Sequence, residues 1–194
     1  LGGMPTTVIG QVSTLMHDIE VEDSASALLE YENGAHGFLH CNTVQGPTRT
    51  RLELWGDKGG VVVTNDSARF YKPEVGLREF NRREHGKRSA TPDVAVGPLP
   101  AAEGAIPGER PAIEVSTADH QDVIADFAQA IIDDREPLAP GEEGVKGLEL
   151  AAAVIYSGCT GRPAMLPLDR VAYDDLLAEL QAGRPLGRRS DIPA

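Results

Sequence analysis

His36 and His40 lie four residues apart, with Cys41 directly after, in the stretch YENGAHGFLHC (31–41). Imidazole and thiol are the groups of metal binding, proton transfer and nucleophilic attack. On a strand, a spacing of four places both histidines on one face but about 13 Å apart, too far to share one ion. The stretch does read as strand. Asn33-Gly34 predicts a tight two-residue hairpin turn, with strand-like runs on either side. Cys41 then points away from His40, and is expected to be a small buried apolar residue. The two histidines are expected to be polar residues of a half-exposed strand. Cys159 falls at the end of a predicted helix, where the dipole disfavours a thiolate, and is expected to be inert.

Other groups are weighed in the same way. The acidic run HDIEVED (17–23) lacks the glycine and the alternation of a calcium loop, and reads as a solvated loop between strands. The segment REFNRREHGKR (78–88) carries five basic residues against two acids and reads as a solvated loop. His120 stands beside Asp119 at the start of a predicted helix, where free N–H groups and side chains face outward together, so it is a candidate ligand contact. The loop Gln45-Gly46-Pro47-Thr48-Arg49 enters the strand TRLELWG. There Arg49 or Arg51 is placed to hold a hydroxyl or carboxylate. No G-x-G triplet, Walker A motif or G-x-S-x-G elbow occurs in the chain. No metal set and no nucleophile with its base is visible. A small hydrolase built on His120 is therefore disfavoured.

The elements that must position these residues come from hydrophobic patterning. TTVIGQVSTLM (6–16) predicts a strand. SASALLEYE (24–32) predicts the next, with Ala25, Ala27, Leu29 and Tyr31 on one face. AHGFLHCN (35–42), TRLELWG (50–56), VVVTN (61–65) and ARFYK (68–72) follow, with short turns between them. Residues 73–116 are rich in Pro and Gly without a period and read as a long loop, with a short strand near 112–116. Ser116 or Thr117 then caps a helix whose Val123, Ile124, Phe127, Ala128 and Ile131 share a face. A second helix starts near Glu142, with Val145, Leu148, Ala152 and Ile155 in its stripe, and Gly161 closes it. RPAMLPL (162–168) predicts a last strand, and Asp169 caps a third helix that ends at Gly183. Residues 184–194 read as a tail.

Strands first and helices later predict the α+β class: an open, mostly antiparallel sheet of six to eight strands with helices on one face. The chain has 194 residues, a net charge of −12 and a pI near 4.8, which argues against a general nucleic-acid binder. No run of apolar residues is long enough to span a membrane, and the start shows no signal-peptide pattern. Two cysteines make no disulfide framework and fit a reduced, cytoplasmic protein.

The motif order VEDSASALLEYENGAHGFLH, RLELWGDKGGVVV and HQDVIADFAQAIIDDREPLAPGEEGVKGLELAAAVIYSGCTGRPAMLPL carries a resemblance. Over about residues 5–170 the chain resembles the C-terminal domain of the glucose–fructose oxidoreductase, inositol dehydrogenase and rhizopine-catabolism (Gfo/Idh/MocA) family of NAD(P)-dependent oxidoreductases. The resemblance implies a dihydrodipicolinate-reductase-like fold and a role as substrate wall and oligomerisation surface. It implies NAD or NADP in the intact enzyme, held by an N-terminal Rossmann domain. The family's E-K-P lysine and D-x-x-x-H motif are absent from this chain, and are expected ahead of Leu1. The strand entering LELWG is where family members place substrate contacts, which adds Thr48 to Arg49, Arg51 and His120.

The expectation is thus one domain over residues 1–183 with a tail at 184–194. It would serve a sugar or polyol dehydrogenase, form a homo-oligomer through its sheet and be inactive alone. A non-catalytic dimerisation or ligand-binding module of the same fold is the alternative. No catalytic, cofactor-binding or metal-ligating residue is expected within the chain.

Overall fold

The structure, a computed structural model, describes residues 3–46, 50–65, 67–87, 90–97 and 120–184. The expected strand near 112–116, the Ser116/Thr117 cap and most of the tail lie outside the described residues. The chain divides into two compact units, residues 1–46 with 126–194 and residues 47–125.

In the first unit, β1 (Thr7–Ser13), β2 (Ser24–Glu30), β3 (His36–Asn42) and the two-residue β8 (Ala164–Met165) form an antiparallel sheet in the order β3-β2-β1-β8. The alternation read in SASALLEYE holds. Ala27 and Leu29 are buried with Val8, Val12, Ala153, Val154 and Ala164, and Ala25 and Tyr31 pack against that cluster. The β2–β3 connection departs from the expected two-residue turn. Gly34 N–H donates to the Tyr31 carbonyl at 2.9 Å and Tyr31 N–H to the Ala35 carbonyl at 3.0 Å. Glu32, Asn33 and Gly34 therefore make a three-residue loop with Gly34 alone in the left-handed region, at φ +80°. Asn33 stabilises the loop through its side chain, which accepts the Ala35 N–H at 3.0 Å.

Helix α3 (Gly141–Thr160) covers one face of this sheet. Of its expected stripe, Val145, Leu148, Ala152 and Ile155, only Ile155 packs against the core cluster. Ala153, Val154 and Ser157 are buried instead, while Val145 and Leu148 are more than half exposed. Small residues decide this. A Cβ added at Gly10 would stand 2.4 Å from the Val154 carbonyl oxygen, and one at Gly158 would stand 2.8 Å from the Val12 backbone nitrogen. The helix backbone rests on the strand backbone, which the bulkier stripe would prevent. Gly161 ends the helix at φ 68°, as its position predicts. Asp169 caps α4 (Arg170–Gln181) by accepting the Val171 and Ala172 N–H groups.

In the second unit, β4 (Arg51–Gly56), β5 (Gly59–Thr64), β6 (Ala68–Pro73) and β7 (Val94–Gly97) form another antiparallel sheet in chain order. The α+β class holds, and among the described residues eight strands are divided between two sheets of four. Region 73–116, expected as loop, contains β7 and the helix α1 (Leu77–Arg83). The reason is tertiary. Asp57, in the β4–β5 turn, accepts the Arg78 N–H on Oδ1 at 2.7 Å and the Leu77 N–H on its carbonyl at 2.9 Å. These bonds satisfy free donors of the first helical turn, and the carboxylate meets the positive end of the dipole. Glu79–Arg83 and Glu84–Lys87 ion pairs then tie down part of the basic run.

Helix α2 (His120–Asp133) lies where the patterning predicts a helix, and the expected start before His120 falls outside the described residues. Its predicted apolar face forms, but Val123, Ile124, Phe127 and Ile131 are each more than half exposed and only Ala130 is buried. Among the described residues, no helix is long and apolar enough to cross a membrane.

Candidate functional site

The uncovered face of the first sheet is set by its register. Ile9, Leu28 and Phe38 are neighbours across β1, β2 and β3, and are 43%, 53% and 71% exposed. Thr7, Glu30 and His36 form the next row on one side, and Gln11, Ser26 and His40 the next on the other. The face therefore carries a central apolar row between two polar ones. Met165 of β8, opposite Thr7, extends the apolar surface and is 62% exposed.

His36 and His40 share this face, as the sequence predicts, and stand in different rows. His40 is held within a polar network. Its Nδ1 lies 2.8 Å from Ser26 Oγ and its Nε2 2.9 Å from Asn42 Nδ2. Among the described residues no group of three or more His, Cys, Asp or Glu could hold a metal ion. Cys41 does alternate to the other face, yet it is exposed, not buried. It sits on β3, the outer strand of the sheet, where the core is thin. Cys159 is half-buried near the end of α3.

The acidic run is not uniformly solvated, for Asp23 is buried. Its carboxylate accepts the backbone N–H groups of Leu15 (2.7 Å), Met16 (2.9 Å) and His17 (3.0 Å), and lies 3.2 Å from His17 Nδ1. Burial alone would raise its pKa. The three backbone donors and the imidazole outweigh that and hold the carboxyl well below the usual carboxylate range. Asp23 thus shapes the 14–17 turn. This turn, Ile19, Leu180 and Arg184 border a cleft of about 700 Å³. A second, apolar groove of about 300 Å³ runs between Val145, Leu148 and Ala152 of α3 and Leu168, Arg170 and Tyr173 beside it. Burial and then the Glu22 and Cys159 charges push the Tyr173 phenol up.

Of the four predicted substrate contacts, Thr48 and Arg49 lie outside the described residues. Arg51 opens β4 with its Nε 2.5 Å from Glu53 Oε1. Glu53 Oε2 also accepts the Trp55 indole N–H at 2.7 Å. The indole and the guanidinium together hold the Glu53 carboxyl below its ordinary range. Trp55, 57% exposed, lies over Gly60, where an added Cβ would come within 2.2 Å of the ring. Its neighbour Tyr71 is tilted at 46° with ring centroids 5.4 Å apart. Sequence reading did not single out Trp55. The alternation Arg51, Glu53, Trp55 on one strand face was the available signal. His120, the first described residue of α2, is exposed.

A family model described as the GFO/IDH/MocA C-terminal domain matches residues 1–62. No curated protein matches the chain. Among solved structures, the chain is similar to the WlbA dehydrogenase from Bordetella pertussis, solved with NADH and UDP-GlcNAcA. The TM-score is 0.61 and identity 22%, over 87% of this chain and 44% of that one. The WlbA dehydrogenase from Chromobacterium violaceum, solved with the same two molecules, gives 0.59 and 22% over 87% and 42%. A levoglucosan dehydrogenase solved with NADH and levoglucosan gives 0.59 and 16% over 85% and 45%. The chain thus spans less than half the length of each, and shares with them the fold of that part. The resemblance read from the motifs is borne out by the family match and by this fold.

Proposed function

We propose that the chain is the substrate-binding and oligomerisation domain of an NAD(P)-dependent, cytoplasmic oxidoreductase that acts on a CH–OH group of a sugar or polyol. The observation that carries this reading is the match of residues 1–62 to a C-terminal-domain family model, on a fold shared with part of dehydrogenases solved with NADH. Those structures contain UDP-GlcNAcA or levoglucosan, which favours a carbohydrate substrate class.

The residues present do not fit a dinucleotide. The chain has no G-x-G triplet, so it lacks the tight turn through which a Rossmann strand–helix junction takes a pyrophosphate. In this reading a separate Rossmann domain holds NAD or NADP, and this domain orients the substrate. Arg51, with Glu53 fixing its guanidinium, supplies donors in a planar fork suited to hydroxyl or carboxylate oxygens. Thr48, Arg49 and His120 complete the proposed contact set. The Ile9–Leu28–Phe38 row serves as the self-association surface, because flanking polar rows let a second copy meet it apolar on apolar about a two-fold axis.

Titration of NADH into the chain, followed by the coenzyme's own fluorescence, tests the division of labour. No binding is expected in the micromolar range. Saturable binding there overturns the reading.

A further inference from the structure

Resting on the carbohydrate reading above, we propose that Trp55 is the stacking platform for one pyranose ring, whose rim hydroxyls Arg51 and Glu53 hold. Register puts Arg51, Glu53 and Trp55 on one face of the second sheet with Gly60, Val62, Arg69 and Tyr71. A Cβ built at Gly60 would stand 2.2 Å from Trp55 Cε3, and 2.6 and 2.7 Å from its bonded neighbours Cζ3 and Cδ2. Those are the distances of a point above the ring and not beside it, so the indole lies face down on the glycine. Its other face accounts for the exposure of the residue. The ring is pinned at its rim as well. Glu53 Oε2 accepts the indole N–H at 2.7 Å, and the Tyr71 ring packs beside it with centroids 5.4 Å apart. Trp55 is thus held in one orientation while open to solvent, so stacking on it costs little side-chain freedom.

An aromatic face is electron-rich and attracts polarised C–H bonds. A pyranose with equatorial hydroxyls carries such bonds on a flat face and its hydroxyls around the edge. The rim of the indole supplies the complement. Glu53 gives one oxygen to Trp55 and the other to Arg51 Nε at 2.5 Å, and each oxygen keeps a further lone pair. The Arg51 guanidinium carries further N–H donors. The two form an ion pair without net charge, which suits an uncharged polyhydroxy ligand. The row on this side is Glu53, the buried Val62 and the exposed Arg69. On the other side lies the Asp57–Lys58 turn, and the Trp55 row itself runs on through Gly60 and Tyr71 to Val96. An apolar strip this narrow matches one sugar ring, whereas a stable protein partner buries about 800 Å².

The test is the indole N–H signal of Trp55, the sole tryptophan, in NMR of the whole chain. It is expected to move saturably with millimolar methyl β-D-glucopyranoside and to ignore sorbitol, which has the hydroxyls without a rigid C–H face. Trp55→Leu should weaken glucoside binding about tenfold, read from the backbone amides of β4 to β6, and Trp55→Phe should restore part of it. An indole signal that stays fixed, that follows sorbitol equally, or that moves with protein concentration alone overturns the proposal; the last result would mean that a second copy covers the ring. Undiminished binding in Trp55→Leu overturns it too. Shifts confined to residues away from Trp55 overturn it while leaving the substrate role standing. A spectrum that the glucoside leaves untouched throughout counts against both.

Discussion

The hydroxyl of Ser157, buried in α3, accepts the backbone N–H of Gly10 at 2.8 Å. That donor is left free because β8 pairs only with Thr7 and Val8 of β1. The helix thus completes the hydrogen bonding of a strand edge, which its close approach at Gly10 permits. Ser157→Ala should cost about 1–3 kcal/mol by leaving a buried donor unpaired. Gly10→Ala must displace the Val154 carbonyl and should cost about 3 kcal/mol. Urea unfolding of each variant checks both values, and Gly10→Ala is expected to be the worse.

Phe38→Asp places a charge in the apolar row without touching the core, since Phe38 is 71% exposed. Monomer stability should change by less than about 0.5 kcal/mol. Sedimentation velocity should show association of the unmodified chain and at least a tenfold weaker association of the variant. A monomeric unmodified chain at 100 μM would remove the oligomerisation role.

Trp55 is the sole tryptophan of the chain, so its emission reports on one place. Gly60→Ala cannot coexist with the ring at 2.2 Å and must lift the indole away from the sheet. A red-shifted emission is expected, with a stability loss of about 1–3 kcal/mol. Glu53→Gln should shift the emission less, because an amide oxygen still accepts the indole N–H. Equal shifts would show that Glu53, not Gly60, sets the ring position.

Asp23 has its carboxyl held low by three backbone N–H groups and His17. A group with a depressed folded-state pKa stabilises above the unfolded carboxylate value, about 3.9, and loses that contribution as pH falls towards the folded value. Asp23→Asn retains one acceptor oxygen and should lower the melting temperature by several degrees at pH 7. The difference from the unmodified chain should shrink only below about pH 4, as thermal scans across pH would show.

Strands β1 to β6 were legible because alternation and turn residues act locally. What was not legible depends on distant partners. Helix α1 owes its start to Asp57, twenty-one positions before Arg78, so no pattern within 73–116 announces it. Of the expected α3 stripe only Ile155 meets the core, because hydrophobic spacing favours Val145 and Leu148, whereas contact at Gly10 and Gly158 selects Ala153 and Ser157. The exposure of Cys41 follows from edge placement, which composition does not encode. For the candidate site, Arg51 and His120 were placed on the right kind of element. The links of Arg51 to Glu53 and of Glu53 to Trp55 required coordinates.

The shortness of β8 has a further result. On that flank of the first sheet, β1 is partnered by two residues and then by a helix hydroxyl, so no continuous run of main-chain groups is on offer. The opposite flank, His36–Asn42, is a seven-residue outer strand. Within this unit the two flanks thus differ in the length of main chain they present.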